Sequence, residues 1–388
     1  MANFLVSPSS AQGLLCASAS SPWFSNDLTA SSQQQQPLPT NCILSWNHGC
    51  SSTVDDSSSS AVWLSKRIVG GVSTSSRRRR AAPLSLNLVL PQASSQAVGL
   101  TAEAESLNDK FGKEGVKVES GEGGLPKVSL SSPNGSVAEV YLYGACTTSW
   151  KTAEGKDLLF VRPDAVFTGQ KPISGGIPHC FPQFGPGSIQ QHGFARNVSW
   201  DISSTESDAD STTVVLELKP STYSRNIWDY EFVVNFKIVL GNDKLSTEMT
   251  VQNTDQKPFS FTTALHTYFR AAIANVSVKG LKGCETFNKP YEDPKNPVKG
   301  AEDRETITFP GFVDCMYRNT PNEVVLANGL GTTLSIKNSG WSDIVLWNPY
   351  LTMEACYKDF VCVENAQLEP VQLQPGDSWT AQQSLVPI

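Results

Sequence analysis

The sequence predicts an all-β fold, a large sandwich or barrel of antiparallel sheets that runs from about residue 125 to the end of the chain. Short runs rich in β-branched and aromatic residues recur there, and many alternate apolar and polar residues. Gly, Pro, Asn or Asp separate the runs, and helical periodicity is almost absent. The predicted strands are 127–131, 137–143, 213–218, 232–240, 245–252, 259–265, 276–278, 323–326, 333–336, 343–347 and 360–363.

Residues 1–80 differ in composition and predict a targeting leader. Ser recurs throughout, acidic residues are sparse, and the segment closes on the basic block at 77–80. A Ser-rich, acid-poor, Arg-containing N-terminus is typical of an organelle transit peptide, and the lack of an amphipathic Arg helix favours the chloroplast. We therefore expect a disordered chloroplast transit peptide at 1–80. An ordinary disordered tail and a lumenal targeting signal beginning at Arg77 are the alternatives.

Residues 81–124 are interpreted as a polar spacer, with a short helix predicted at 102–111. Gly residues between 121 and 124 interrupt the chain after it, and the β-domain is expected over 125–388. The sequence contains no apolar run near the roughly 20 residues that span a bilayer. Membrane association would therefore be peripheral and depend on partners.

Charge and cysteine usage exclude several classes of protein. A net charge of −7 and a pI near 5.3 argue against a nucleic-acid-binding surface, which needs clustered basic residues. The nine cysteines are scattered without a C-x-x-C pair, which favours reduced thiols in a reducing compartment and gives no support to a metal site. With no flavin, nucleotide or iron–sulfur signature either, we expect no cofactor.

Three segments carry polar chemistry beyond the strand pattern. A Gly- and Pro-rich stretch at 175–185, followed by Gln, His and Arg at 191–197, combines irregular backbone with groups suited to a cleft. The second segment places His266 in a β-aromatic run. The third ends an apolar strand on Glu364, an acid that costs free energy there unless it is paired or hydrogen-bonded.

A histidine and a glutamate facing each other can perform general acid–base chemistry on a sugar hemiacetal. Glu364 would accept the proton of the anomeric hydroxyl while His266 donates one to the ring oxygen, which opens the C1–O5 bond. Rotation about C1–C2 and reclosure would give the other anomer. The alternatives are a core histidine bonded to a hydroxyl such as that of Thr267, and an acid at the rim of a strand.

Taken together, these motifs resemble the glucose-6-phosphate 1-epimerase family of the galactose-mutarotase-like superfamily, whose fold is a β-supersandwich. The matching segments lie in the family's order at 175–182, 191–197, 266–269, 347–349 and 362–364. The resemblance implies that His266 is the general acid and Glu364 the general base. It also implies a set of substrate-binding residues, Gln191, His192, Arg196, Asp314 and Asn348.

The departures from the family pattern mainly affect residues that would bind the phosphate. Ser174 stands where active members have an arginine, so a bidentate, charge-assisted phosphate contact is lost. Tyr350 replaces a tryptophan, and the stretch from there to Glu364 is short. Asn365 replaces a small residue or proline, and Cys315 a basic residue. The acid–base pair is retained while the phosphate contacts are reduced.

Segments 160–167 and 171–176 resemble one plant branch of the family, the epimerase-like subunits of the chloroplast NADH dehydrogenase-like (NDH) complex. This resemblance implies an accessory subunit on the stromal side of the thylakoid membrane, with the other subunits of that complex as partners. Its role would be structural, in support of electron flow from reduced ferredoxin to plastoquinone. The alternative is an active plastid glucose-6-phosphate 1-epimerase that binds a hexose phosphate.

Overall fold

The computed structural model describes residues 93–388, with side chains described from Ala102 onward. The predicted transit peptide at 1–80 and the first part of the predicted spacer lie outside the described residues. No helix within 93–388 is both long and apolar enough to cross a membrane.

The all-β prediction is confirmed, since residues 93–388 form 21 strands and two α-helices, α1 (Ala93–Phe111) and α2 (Thr222–Ile227). The strands are β1 (Val116–Ser120), β2 (Pro126–Ser131), β3 (Val137–Tyr141), β4 (Cys146–Lys151), β5 (His179–Cys180), β6 (Asp201–Ser207), β7 (Ser211–Leu218), β8 (Phe232–Gly241), β9 (Lys244–Asn253), β10 (Phe259–Leu265), β11 (Tyr268–Arg270), β12 (Ser277–Lys279), β13 (Glu285–Asn288), β14 (Val298–Ala301), β15 (Thr306–Ile307), β16 (Val313–Arg318), β17 (Glu323–Ala327), β18 (Thr333–Ser339), β19 (Asp343–Asn348), β20 (Phe360–Leu373) and β21 (Ser378–Pro387).

The segment predicted as a spacer contributes a helix and a strand to the domain. Helix α1 begins nearer the N-terminus than the predicted 102–111, and its Ala104 is buried. The Asn108 side chain accepts a hydrogen bond from the Val118 amide at 2.9 Å, which joins α1 to β1. Because β1 pairs with β2 along its whole length, the sheet structure begins before residue 125.

The strands form three sheets, and all pairings between named strands are antiparallel. A four-stranded sheet has the order β1-β2-β3-β4. An eight-stranded sheet has the order β14-β13-β16-β19-β20-β10-β5, with β11 paired to β20. A nine-stranded sheet has the order β15-β12-β17-β18-β21-β9-β8-β7-β6.

Strand β8 shows how the sequence pattern builds the core. The odd-numbered residues of the strand are half-buried, whereas the even-numbered residues Phe232, Val234, Phe236, Ile238 and Leu240 are fully buried. This alternation places one face of the nine-stranded sheet against a single large apolar cluster, to which all three sheets contribute. Burial of such side chains stabilises the fold by about 2 kcal/mol for each large residue.

The eight-stranded sheet brings distant segments of the chain together. Strand β20 lies between β19 and β10, and Leu265 at the end of β10 pairs with Asn365. Strand β11 then pairs with β20 again, where Tyr268 faces Cys362. His266 therefore lies in the short gap between β10 and β11, beside the part of β20 that carries Glu364.

Asn365 points to the other side of β20, into the space between the sheets. It is fully buried, and its Oδ1 accepts a hydrogen bond of 2.7 Å from Nε2 of Gln383 on β21. This contact links the eight-stranded sheet to the nine-stranded sheet directly behind the candidate site.

Candidate active site

The His266 imidazole lies beside the Glu364 carboxyl, with 3.2 Å between Nδ1 and Oε1. Only 11% of the His266 side chain and 2% of the Glu364 side chain are exposed. The contact is not aligned as a hydrogen bond, and neither His266 Nδ1 nor Glu364 Oε2 has a hydrogen-bond partner within residues 93–388. Buried polar atoms without partners cost free energy, which is unusual outside functional sites.

Burial shifts the two groups in opposite directions. Removal from water raises the pKa of Glu364 well above its ordinary value, and the nearby Asp314 carboxyl adds to this shift. Burial likewise lowers the pKa of His266 well below its usual range, and His192 and Arg196 act in the same direction. Between the lowered pKa of His266 and the raised pKa of Glu364 the pair therefore holds one proton, as a coupled acid–base pair requires.

Aromatic rings fix the orientation of His266. Tyr268 stacks on the imidazole with 4.9 Å between ring centroids, and Trp347 contacts it edge-on at 5.6 Å. The backbone amide of His266 donates to the carbonyl of Pro178 at 2.9 Å, which ties β10 to the Gly- and Pro-rich segment. These contacts hold the imidazole against β20.

The pair lies in a cleft of about 690 Å³, which is large enough for a monosaccharide. Apolar and aromatic side chains form part of its wall, and the polar groups converge on one end. The cleft is lined by Phe184, Gly185, Pro186, Gln191, His192, His266, Lys289, Pro294, Lys295, Pro297, Asp314, Met316, Val345, Trp347 and Glu364.

His192 lies next to His266, with 5.6 Å between ring centroids. Its Nδ1 accepts a hydrogen bond from the Gly185 amide at 3.2 Å, so the proton of the neutral ring lies on Nε2. The Gln191 side-chain amide lies 3.3 Å from that Nε2, and it accepts the Nε2 proton when its oxygen occupies this position. Burial lowers the pKa of His192 to about 3, which keeps the ring neutral. His192 can therefore donate a neutral hydrogen bond in the cleft.

Glycines give this segment its backbone path. Gly193 has a φ of 69°, and a Cβ at this position would lie 2.1 Å from the carbonyl oxygen of Phe181. Gly176 has a φ of 68°, and its Cβ would lie 2.1 Å from the carbonyl oxygen of Thr147. Only glycine fits where two backbone segments approach this closely. The glycines thus allow His192 to reach the cleft.

Asp314 lines the cleft and faces Lys289, with 3.6 Å between Oδ1 and Nζ. Burial raises the pKa of Asp314 despite this lysine. Lys289 and Lys295 were not predicted from the sequence, because a charged, Pro-rich loop is typical of solvent-exposed surface. Only the pairing of β13 with β16, which carries Asp314, reveals their position.

Comparisons with known proteins identify the family of the chain. The aldose 1-epimerase family profile matches residues 126–386, about two thirds of the chain. The chain belongs to the aldose 1-epimerase family. A Cenchrus ciliaris protein provisionally named glucose-6-phosphate 1-epimerase is 35% identical over 275 residues, covering 66% of this chain and 83% of its own. An Escherichia coli protein of the same provisional name is 31% identical, covering 61% and 81%.

Solved structures with the same fold support the assignment to this family. A provisionally named mutarotase of Salmonella typhimurium has a TM-score of 0.64 at 27% identity, covering 71% of this chain and 94% of its own. A galactose mutarotase-like protein of Clostridium acetobutylicum has a TM-score of 0.59 at 16% identity, covering 70% and 98%. The second likeness concerns the fold alone. The predicted mutarotase-like sandwich is confirmed.

Two predicted substrate-binding residues of this epimerase-family chain do not line the cleft. Asn348 is fully buried, and its side-chain amide donates to the carbonyls of Tyr357 and Phe360 at 2.9 Å each. It stabilises the turn before β20 and has no free donor for a sugar. Arg196 donates to the backbone oxygen of Gln191 at 3.1 Å, and so supports the segment behind that residue.

At Ser174, where the family has an arginine, the chain provides no cationic side chain to the cleft. Ser174 accepts a backbone hydrogen bond from Arg162 at 2.9 Å, but neither residue lines the cleft. The Arg162 guanidinium is paired with Asp164, with 2.9 Å between Nε and Oδ1. Arg162 therefore does not substitute for the family's phosphate ligand.

His266, Cys362 and Glu364 have potential metal-ligating atoms within 4.8 Å of one another. Burial raises the pKa of the Cys362 thiol well above its usual value, as it does for Glu364. A protonated thiol does not attract a cation, because metal ligands must be deprotonated. The cluster is thus better suited to proton transfer than to binding a metal ion.

Proposed function

We propose that the cleft catalyses 1-epimerisation of a hexose 6-phosphate. The observation that supports this most directly is the buried contact between His266 and Glu364, which both line a sugar-sized cleft. One acid and one base in contact with the same ligand are what opening a hemiacetal requires. The family's relatives with this provisional activity add independent support.

In the proposed reaction the shared proton moves through the substrate. Glu364 accepts the O1 proton of the pyranose as the C1–O1 double bond forms and the C1–O5 bond breaks. The protonated His266 donates its proton to O5, which leaves a neutral carboxyl, a neutral imidazole and the open aldehyde. Rotation about C1–C2 exposes the other carbonyl face, and the reverse transfers close the ring as the other anomer. Protons and electrons balance without a cofactor.

Anomer exchange by NMR tests this proposal. With the full-length protein and glucose 6-phosphate, we expect exchange between α and β signals well above the spontaneous rate. A Glu364→Gln variant keeps the shape of the side chain but removes the base, and its rate should fall to the spontaneous level. A wild-type protein that never exceeds spontaneous mutarotation would end the proposal.

We further propose that the protein is an accessory subunit of the chloroplast NDH complex, held at the stromal side of the thylakoid membrane by other subunits. Ser174 stands where the family has a cationic phosphate ligand, and segments 160–167 and 171–176 resemble the branch of NDH subunits. Both observations favour such a role. So does an apolar groove of about 430 Å³ next to Leu351, which is 60% exposed. This groove shares no residue with the cleft, and it is lined by Ala272, Ile273, Ala274, Phe309, Pro310, Tyr350, Tyr357 and Lys358.

Native-gel electrophoresis of thylakoid membranes tests the accessory role. In the wild type the protein should migrate with the NDH complex. In a null mutant the band of that complex should disappear or move to a smaller apparent size. A Leu351→Ser variant should weaken the association if the apolar groove is the contact. Protein recovered entirely as free monomer in the stroma would contradict the role. The two proposals are compatible, because they use different parts of the molecule.

A further inference from the structure

Two lysines reach the cleft from the loop between β13 and β14. Lys289 and Lys295 both line the cleft together with His266 and Glu364. Pro294 and Pro297 of the same loop also line it. Proline restricts the backbone of the loop, which lowers the entropy lost when the lysines are held at the cleft wall. No arginine or other lysine lines the cleft within the described part of the chain.

The two lysines of the cleft are only weakly paired with acidic side chains. Lys289 has Asp314 as a partner at 3.6 Å, which is too long for a hydrogen bond. Lys295 makes no ion pair within residues 93–388. Burial raises the pKa of both Asp314 and Glu364, the two acids that line the cleft. Within the described chain Lys295 therefore offers an ammonium group without an acidic partner at the cleft, which favours an anionic ligand.

We propose that Lys289 and Lys295 form an anion subsite that holds the phosphate of a phosphorylated monosaccharide while its anomeric carbon lies at His266 and Glu364. This inference rests on the proposed function of the cleft and assigns the residues that bind the phosphate of its substrate. It moves the phosphate contacts from the segment around Ser174 to the β13–β14 loop. An ammonium group binds phosphate as a point charge, so the two lysines need no fixed bidentate geometry.

Binding measurements on the full-length protein test the subsite. Glucose 6-phosphate, glucose and inorganic phosphate are titrated by calorimetry or NMR into the wild type, Lys289→Gln, Lys295→Gln and the double variant. Each single substitution should weaken glucose 6-phosphate binding about tenfold, the loss expected for one charge-assisted contact. Glucose binding should not change. Inorganic phosphate should compete with glucose 6-phosphate in the wild type. Added salt should weaken the binding of glucose 6-phosphate but not the binding of glucose.

A matched control is Lys299→Gln, on β14 near the same loop. Lys299 is exposed, forms an ion pair with Glu285 and does not line the cleft. Its substitution removes the same charge and should leave all three affinities unchanged. Thermal melting of each variant establishes that the fold is intact.

Three outcomes would overturn the subsite. One is a wild type that binds neither glucose 6-phosphate nor phosphate. Another is unchanged affinity in the double variant, and the third is an equal loss for glucose and glucose 6-phosphate. Repeating the titrations in Glu364→Gln separates this inference from the proposed catalysis. If lysine-dependent binding persists while the wild type shows no anomer exchange, the subsite stands and the catalytic proposal fails.

Discussion

Nδ1 of His266 lies 3.2 Å from Oε1 of Glu364, and the contact joins the end of β10 to the middle of β20. This contact is not aligned as a hydrogen bond, so the sheet holds the two groups at this distance. The strand pairing Leu265 with Asn365 sets this distance. A rigid scaffold of this kind keeps the acid and base in place before a ligand arrives.

The first prediction concerns the pH dependence of anomer exchange. In the proposed reaction the pair acts with one shared proton. Because burial lowers the pKa of His266 and raises that of Glu364, a second proton adds only well below pH 6.5, and the shared proton leaves only well above pH 4.5. The rate should fall towards both low and high pH, as measured by NMR between about pH 5 and 9. A single rising limb near pH 4.5 would indicate an isolated carboxylate.

The second prediction concerns the stability of Glu364→Gln. The folded pKa of Glu364 is raised, so between its unfolded value of 4.5 and its folded value the folded chain keeps a proton that the unfolded chain has lost. Wild-type stability therefore falls as the pH rises through this window, by up to about 1.4 kcal/mol per pH unit. The variant lacks this loss and should be more stable at pH 8 in urea unfolding. A substitution of exposed Glu305 should not reproduce the gain.

The third prediction concerns His179, which packs between the sheets away from the cleft. Its ring meets Phe236 edge-on at 4.2 Å, and burial lowers its pKa to about 4. As the pH falls from 6.5 towards 4, His179 binds a proton in the unfolded chain but not in the folded chain. The free energy of unfolding therefore decreases. The free energy of unfolding should fall by up to about 1.4 kcal/mol per pH unit from this residue.

A His179→Gln variant checks this assignment by urea unfolding at pH 7 and pH 5. Gln can still donate to the Ala145 carbonyl, which His179 Nε2 approaches at 3.3 Å, but it does not titrate. The difference in stability between the two pH values should be smaller in the variant. An identical difference would assign the acid sensitivity to other groups.

The fourth prediction concerns Gly193. A Gly193→Ala substitution places a Cβ 2.1 Å from the Phe181 carbonyl at a positive φ, so the backbone must shift. We expect a loss of roughly 2 kcal/mol or more in the free energy of unfolding, together with reduced anomer exchange because His192 is displaced. Gly311→Ala is the control, since nothing lies within 4 Å of its added Cβ and its change should stay within about 0.5 kcal/mol. Equal effects of both substitutions would contradict the steric argument.

Sequence patterns predicted the regular half-buried strands well. The predicted strand at 232–240 corresponds to β8, because its apolar residues alternate without interruption. Strand β20 was predicted only to residue 363, since the polar residues and Pro370 after Glu364 are typical of a loop. In the fold a bulge between Phe261 and Thr263 lets β10 pair along this irregular strand. Such pairing depends on the partner strand and cannot be inferred from local pattern.

The candidate site shows the same limit. Motifs identified His266 and Glu364, and the sheet brings them together. The same motifs also included Asn348, whose amide is used by two backbone carbonyls of the turn before β20. They omitted Lys289 and Lys295, because nothing in a Pro-rich loop specifies the direction in which it folds over a cleft. Residue type suggests chemistry, whereas long-range pairing decides which groups meet.

The hydrogen bond between Asn365 and Gln383 has a consequence for how this protein can change over evolution. Neighbouring positions on β20 face opposite directions, so the residue that anchors the two sheets and the residue that offers chemistry are adjacent but independent. A mutation can remove the carboxyl group of Glu364 without breaking the hydrogen bond between Asn365 and Gln383. A lineage built on this scaffold is therefore free to abandon turnover and persist as an architectural component.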